Sequence, residues 1–207
     1  MIKKPEIGGV LLAGGKASRM GFRNKALQLL NGEPLLAHGI RRAQPQVHRL
    51  ILSVNHNAEL YQPFKLPIVA DHNDSYRGPL LGIYSAMRWF THQQEYPSIK
   101  YLACFAADVP EFPADIIQDL ALALSNSSSS VSYVFHLGQI QPLFSLWHLS
   151  LVDTLFDAID SGLYGPKLLF ESLGAVAVHC ESSTKGAFFN INSIDDLATA
   201  ARIIVKK

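Results

Sequence analysis

The sequence predicts an α/β fold with a Rossmann-like, mainly parallel central sheet and helices on both of its faces. Three observations predict it. Short apolar runs alternate with longer stretches whose apolar residues recur at helical spacing. The first run, residues 7–13, is apolar at successive positions, as a strand buried on both faces must be. The length of 207 residues, 48% apolar and 17% charged, fits one ordinary domain, and residues 1–207 are expected to form it. At this length one core buries roughly 70% of the surface of the unfolded chain, so folding requires neither disulfide nor structural metal.

A glycine-rich loop follows the first strand. Residues 35–43 read as a helix, and 49–54 as a second strand ending at Asn55. A short helical piece at 57–62 stops before Pro63, a third strand covers 67–70, and 80–92 has helical spacing. Residues 101–107 form a fourth strand. The helix of 113–124 places Pro113 at its start, where the missing N–H has no partner to lose. Residues 131–135 and 141–146 read as paired strands joined near Gly138, 152–160 as a helix and 174–178 as a strand. Ser193 is the expected N-cap of a C-terminal helix, with Asp195 and Asp196 in the first turn, where the helix dipole favours acids.

Several function classes fall away on composition. With 18 basic and 17 acidic residues the net charge is +1, whereas nucleic acids and membrane surfaces select a concentrated basic excess. The longest stretch without Asp, Glu, Lys or Arg, residues 120–152, is split by the serine-rich run at 125–130. Each piece is therefore shorter than the roughly 20 apolar residues of a spanning helix. The N-terminal residues reach Gly8 and Gly9 instead of a long apolar run, so no secretory signal is expected. Cys104 and Cys180 lie in apolar runs without metal-ligand spacing. They are expected as buried thiols in a reducing, cytoplasmic setting.

In an open α/β sheet ligands bind beyond the carboxyl ends of the strands, and four segments stand there. The first joins Leu12, Ala13, Gly14 and Gly15 to Arg19 and then Lys25. Glycines let the backbone approach an anion, and the two cations suit a polyphosphate. It matches neither a Walker loop nor the dinucleotide fingerprint. The second is Asp108 after the fourth strand, a hard-oxygen ligand for Mg²⁺ or a turn cap. The third is Asp71 with the turn from Arg77 and Gly78 to Gly82, which faces a nucleotide or simply opens a helix. The fourth is the alternation of Asn190, Ile191 and Asn192, which aims both amides to one side. The eight histidines show no pairing with a nucleophile, although His56 and His72 adjoin these segments.

These segments together, with Gln141-Pro142-Leu143, Trp147 and the run from Phe189 to Ser193, resemble the molybdenum cofactor guanylyltransferases over nearly the whole chain. The resemblance implies a nucleotidyltransferase that uses Mg²⁺ and GTP to attach GMP to molybdopterin, releasing pyrophosphate. Carried onto matching positions, it places GTP against Leu12, Ala13 and Gly14. Lys25 falls on the phosphates, Asn55 and Asp71 on the nucleoside, and Asp108 on nucleotide and metal. Lys25 and Arg19 are then expected to steady the departing pyrophosphate. Asn190 and Asn192 are expected on the acceptor side, since amides match the edge of a pterin without adding charge. The implied partners are these substrates, with transient contacts to other cofactor-biosynthesis proteins or recipient molybdoenzymes.

Two departures stand out. Asn24 replaces the family's usual aspartate before the lysine, and residues 163–167 lack an arginine, offering Lys167 instead. Lysine does not reproduce a bidentate arginine contact. Two other readings share the loop and the acid: a different Mg²⁺-dependent nucleotidyltransferase acting on CTP or a sugar phosphate, and a non-catalytic nucleotide-binding module of the same fold.

Overall fold

Adjacent side chains of a strand point to opposite faces of its sheet, and in β1 (Ile7–Leu12) both directions are apolar. Val10 and Leu11 are fully buried in two separate cores, one on each face. The same division recurs at Ile51 and Leu52 of β4 (Arg49–Ser53) and at Cys104 and Phe105 of β6 (Tyr101–Ala106). Each such buried side chain contributes roughly 1.5–3 kcal/mol. The computed structural model describes residues 1–14, 24–71, 78–182 and 184–204.

Helices close both faces. α1 (Leu35–Ala43) and α3 (Ile116–Ser125) cover one, through Leu36, Ala43, Ile117 and Leu120. The other is covered by α2 (Pro79–Thr91), α4 (Val152–Asp160) and the short α5 (Lys167–Phe170), through Leu81, Leu155 and Phe170. The remaining strands are β5 (Ile68–Val69), β7 (Val131–His136), β8 (Gln139–His148) and β9 (Val176–His179). The seven strands run in the order β5-β4-β1-β6-β8-β7-β9, with β8 alone antiparallel to its neighbours. The expected architecture is therefore present.

The chain lays β1, β4 and β5 outward in one direction, and α2 then carries it back to β6 on the other side of β1. That reversal opens a crevice between the carboxyl ends of β1 and β6. Ligands of open α/β sheets bind at such a place.

Several element limits differ from those expected. The piece at 57–62 is a 3-10 helix, Ala58–Phe64, which takes in Pro63. α3 starts at Ile116, with Asp115 as N-cap, so Pro113 lies before the helix and not in its first turn. Pro110 and Pro113 both disfavour helical geometry in the residue before them, which keeps this segment extended. β9 starts at Val176 because Gly174 has a φ of +56°, outside the strand region. Unanticipated, besides short 3-10 turns, were α5 and the hairpin of β2 (Leu29–Leu30) and β3 (Glu33–Pro34) around Asn31-Gly32. Asn-Gly is the strongest short hairpin signal, but strands of two residues carry no readable alternation.

Both cysteines are free, with Cys104 buried and Cys180 only partly so. Burial pushes the Cys104 thiol far above its ordinary range. Among the described residues no helix is long and apolar enough to cross a membrane.

Candidate active site

The floor of the crevice is made where the strand pairing continues past the strand ends. Ala13 N–H donates to Ser53 O at 2.9 Å and Ala107 N–H to Leu12 O at 3.3 Å. Leu12, Ala13 and Gly14 thus lie beside Asp108 in an open cleft of about 250 Å³ that also takes in Lys25, Asn55, Asp71, Gly78 and Gly82. Gly15, Arg19, Arg77 and His72 lie outside the described residues.

A short 3-10 turn, Lys25–Leu27, begins after Asn24. The Lys25 ammonium donates to Asp108 Oδ2 at 2.5 Å, to Asn192 Oδ1 at 2.7 Å and to Asn190 Oδ1 at 3.4 Å. Three oxygens from two distant parts of the chain thus surround one cation. Asn24 takes a weak hydrogen bond from Asn57 at 3.4 Å.

The two asparagines reach Lys25 because their segment runs alongside the one that follows β6. Ile191 N–H donates to Asp108 O at 3.0 Å and Phe188 N–H to Glu111 O at 2.9 Å. Ile191 is 1% exposed and packs with Leu30, Leu35 and Ala200, so its neighbours Asn190 and Asn192 both face outward, as the alternation predicts. Just beyond, Ser193 caps α6 (Ile194–Ile203) by accepting from Asp196 N–H, while the Asp196 carboxylate accepts from Asn192 N–H at 2.8 Å. That backbone bond holds the Asp196 carboxyl below its ordinary range.

On the opposite wall, Asn55 and Asp71 form a double contact. Asn55 Nδ2 donates to Asp71 Oδ2 at 2.6 Å, and Asp71 N–H donates to Asn55 Oδ1 at 2.9 Å. The second carboxylate oxygen, Asp71 Oδ1, is buried and has no hydrogen-bond partner among the described residues. Burial pushes this carboxyl up, against the opposing effects of the Asn55 bond and the His56 charge. An acceptor in this state has a free energy to gain from a donor brought by a ligand.

Two glycines shape the wall. A Cβ on Gly82 would lie 2.8 Å from Leu12 Cδ2 and 2.9 Å from Ser53 Oγ, so with glycine there α2 approaches the ends of β1 and β4 without displacing either side chain. Gly78, with φ +78°, precedes α2, and a Cβ there would meet Tyr164 O at 2.6 Å. Leu143 also lines the cleft, a position not anticipated. The pairing of β7 with β8 slips between Tyr133 and Val134, leaving residues 142–144 of β8 outside the ladder. Pro142, which has no N–H to offer, was the readable signal for a bulge.

The donors fit a hard divalent cation. Among the described residues no three His, Cys, Asp or Glu side chains gather into a cage. Mg²⁺ needs none, because it usually takes one or two carboxylates, with phosphate and water oxygens filling the rest. The Asp108 carboxylate and the nearby amide oxygens of Asn190 and Asn192 are donors of that kind.

A polar cleft lined by the Lys25 ammonium, the Asp71 and Asp108 carboxylates and the Asn55 amide, with Asn190 and Asn192 reaching the ammonium at the reversal point of a mostly parallel sheet, is the arrangement of a Rossmann-like nucleotidyltransferase. The crystal structure of molybdopterin-guanine dinucleotide biosynthesis protein A from Archaeoglobus fulgidus shares the fold, with a TM-score of 0.78 at 22% identity over 95% of this chain and 98% of that one. Residues 9–176 match the family described as the MobA-like NTP transferase domain, and the chain belongs to that family. A molybdenum cofactor guanylyltransferase of Burkholderia ambifaria (strain MC40-6) is 37% identical, covering 96% of this chain and 97% of its own. One from Haemophilus influenzae (strain 86-028NP) is 31% identical, covering 92% and 95%.

Proposed function

We propose that this chain transfers GMP from GTP to molybdopterin, giving molybdopterin guanine dinucleotide and pyrophosphate. The observation that carries the reading is the meeting of Lys25, Asp108, Asn190 and Asn192 at the crevice between β1 and β6. Relatives named molybdenum cofactor guanylyltransferase, similar over nearly their full length, support it.

In this reading GTP lies along Leu12, Ala13, Gly14 and Gly15, with its phosphates reaching Lys25 and Arg19. Gly78 and Gly82 leave room for its nucleoside beside Asn55 and Asp71. Asp71 Oδ1, without a partner among the described residues, accepts from guanine, whose N1–H and N2–H₂ are donors on one edge. Adenine presents an acceptor at N1, whose lone pair opposes the carboxylate where guanine offers a donor.

The terminal phosphate oxygen of molybdopterin attacks the α-phosphorus of GTP. As that bond forms, the bond from the α-phosphorus to the bridging oxygen breaks, and pyrophosphate leaves with the electron pair. The nucleophile is ionised near neutral pH, so no side chain has to remove a proton. The work of the protein is alignment and charge neutralisation. Lys25 and Arg19 stabilise the charge that grows on the departing pyrophosphate. Asn190 and Asn192 hold the Lys25 ammonium through their oxygens and present their NH₂ groups to the acceptor. Asp108 would hold Mg²⁺, which when bound supplies Lewis-acid neutralisation of the phosphates.

Residues 1–207 act as one catalytic domain in the cytoplasm, independently of nucleic acid and membrane, and meet other cofactor-biosynthesis proteins or recipient molybdoenzymes transiently. The test is pyrophosphate release from GTP, ATP and CTP, each with Mg²⁺ and molybdopterin. Turnover with GTP and not with the others is expected; preference for CTP or equal use of all three overturns the reading.

A further inference from the structure

Glu111 is an acid in a place costly for one, with a side chain only 11% exposed. It directly precedes Phe112, which stacks on Phe105 at 5.5 Å and packs against Phe144 at 5.0 Å. Its partner is Arg42 in the last turn of α1, 17% exposed, which forms an ion pair with its carboxylate. Arg42 also donates through Nη1 to Phe112 O at 2.6 Å. The planar guanidinium fork makes both contacts at once, whereas an ammonium is a single point of charge. α1 therefore grips residues 111 and 112 by side chain and by main chain together.

The same Glu111 carries the segment of the two asparagines on its other side. Its carbonyl accepts from Phe188 N–H, and three residues earlier Asp108 O accepts from Ile191 N–H. These two bonds fix the register of residues 188–192 against residues 108–111. The register is under some strain, since Phe188 is a non-glycine residue at φ +59°. It is also decisive for the site: alternate residues of an extended segment face opposite ways, so a slip of one residue presents Ile191 to Lys25 in place of an amide. The Glu111 carboxylate and Arg42 border a separate cleft beside α1 and take no part in the one that holds Lys25.

We infer that Arg42 and Glu111 are positioning residues, a clamp that sets the register of Asn190 and Asn192 at the Lys25 ammonium; the inference rests on the activity proposed above. A clamp of this kind is separable from fold stability, because a buried ion pair is often replaced by apolar residues of similar volume without loss of stability.

The experiment compares Arg42→Lys and the double variant Arg42→Met with Glu111→Leu against the wild type. It reads melting temperature, kcat and the KM for GTP at saturating molybdopterin, and the side-chain amide resonances of Asn190 and Asn192 in ¹⁵N-asparagine-labelled protein. The expected result is a melting temperature within about 3 °C of wild type, kcat lowered about tenfold or more, KM for GTP within about twofold, and displaced resonances for both amides. Folded variants with wild-type kcat and unshifted amides overturn the clamp, as do variants whose kcat falls only in step with melting temperature. If the double variant does not fold, Arg42→Lys is judged by the same criteria. A wild type that releases no pyrophosphate with GTP refutes the proposed activity instead, and the amide resonances then decide the clamp alone.

Discussion

Lys25 and Asp108 stand 83 residues apart in the chain, yet the lysine ammonium donates a 2.5 Å hydrogen bond to the aspartate carboxylate. Their side chains are 19% and 26% exposed, so the pair is open enough for an incoming phosphate and sheltered enough to stay ordered. In the proposed reading a triphosphate competes for the ammonium and a hard cation for the carboxylate.

Asp108→Asn is expected to abolish pyrophosphate release while the protein still folds, since an amide replaces the carboxylate assigned to Mg²⁺. Circular dichroism checks the fold and a coupled pyrophosphate assay the rate. Near wild-type turnover overturns the assignment.

Lys25→Ala is expected to lower kcat by about 10² or more, the scale set by removing one preorganised charge-stabilising group. A variant with a raised KM for GTP and an unchanged kcat would place Lys25 in uniform substrate binding instead.

Asp71→Asn is expected to weaken GTP and stabilise the free protein. Burial raises the folded-state pKa of Asp71 above its unfolded value, so the folded state binds its proton more tightly. The stability tied to that proton is present below the unfolded pKa and lost as pH rises through the folded one. The variant therefore melts above wild type at pH 7, and the gap closes in acid. Calorimetry is expected to read a loss of about tenfold or more in GTP affinity, some 1.4 kcal/mol. Unchanged affinity together with an unchanged melting temperature refutes both halves.

Replacing Asn190 and Asn192 together by alanine is expected to block transfer or weaken molybdopterin while GTP affinity stays within about threefold, or roughly 0.7 kcal/mol. Titrations of each substrate separate the two. A large loss of GTP affinity in a variant that melts normally moves both residues to the nucleotide side.

Gly78→Ala is expected to cost about 1–3 kcal/mol in urea unfolding, from a left-handed φ and a Cβ driven against Tyr164 O. It also strains the hydrogen bond from Leu80 N–H to Tyr164 O, which seats the start of α2 at the cleft. A neutral variant would mean that the 164 segment gives way freely.

Residue order alone determined much of this protein. Paired apolar positions such as Val10 and Leu11 mark a strand buried on both faces, whichever strands lie beside it. Ser193 with Asp195 and Asp196 marks a helix start, and Ile191 between two asparagines marks which side chains face out. Each is a local signal, because period and capping act over a few residues. Local order also placed Gly14, Asp71 and Asp108 just past strands, where a ligand belongs in an open α/β sheet.

Only the tertiary structure decided who meets whom. Periodicity tells which face a residue takes but not which strand lies alongside, so the insertion of antiparallel β8 between β6 and β7 was not legible, nor the bulge that brings Leu143 to the cleft. Nor was the closure of three oxygens on Lys25, although each residue was singled out alone. Asp108, Asn190 and Asn192 come to that ammonium through two backbone bonds between residues 108–111 and 188–191. Such bonds join any two extended segments equally well. Their register is fixed by what is buried around them: Ile191 against Leu30, Leu35 and Ala200, Phe188 against Phe144, and Glu111 against Arg42.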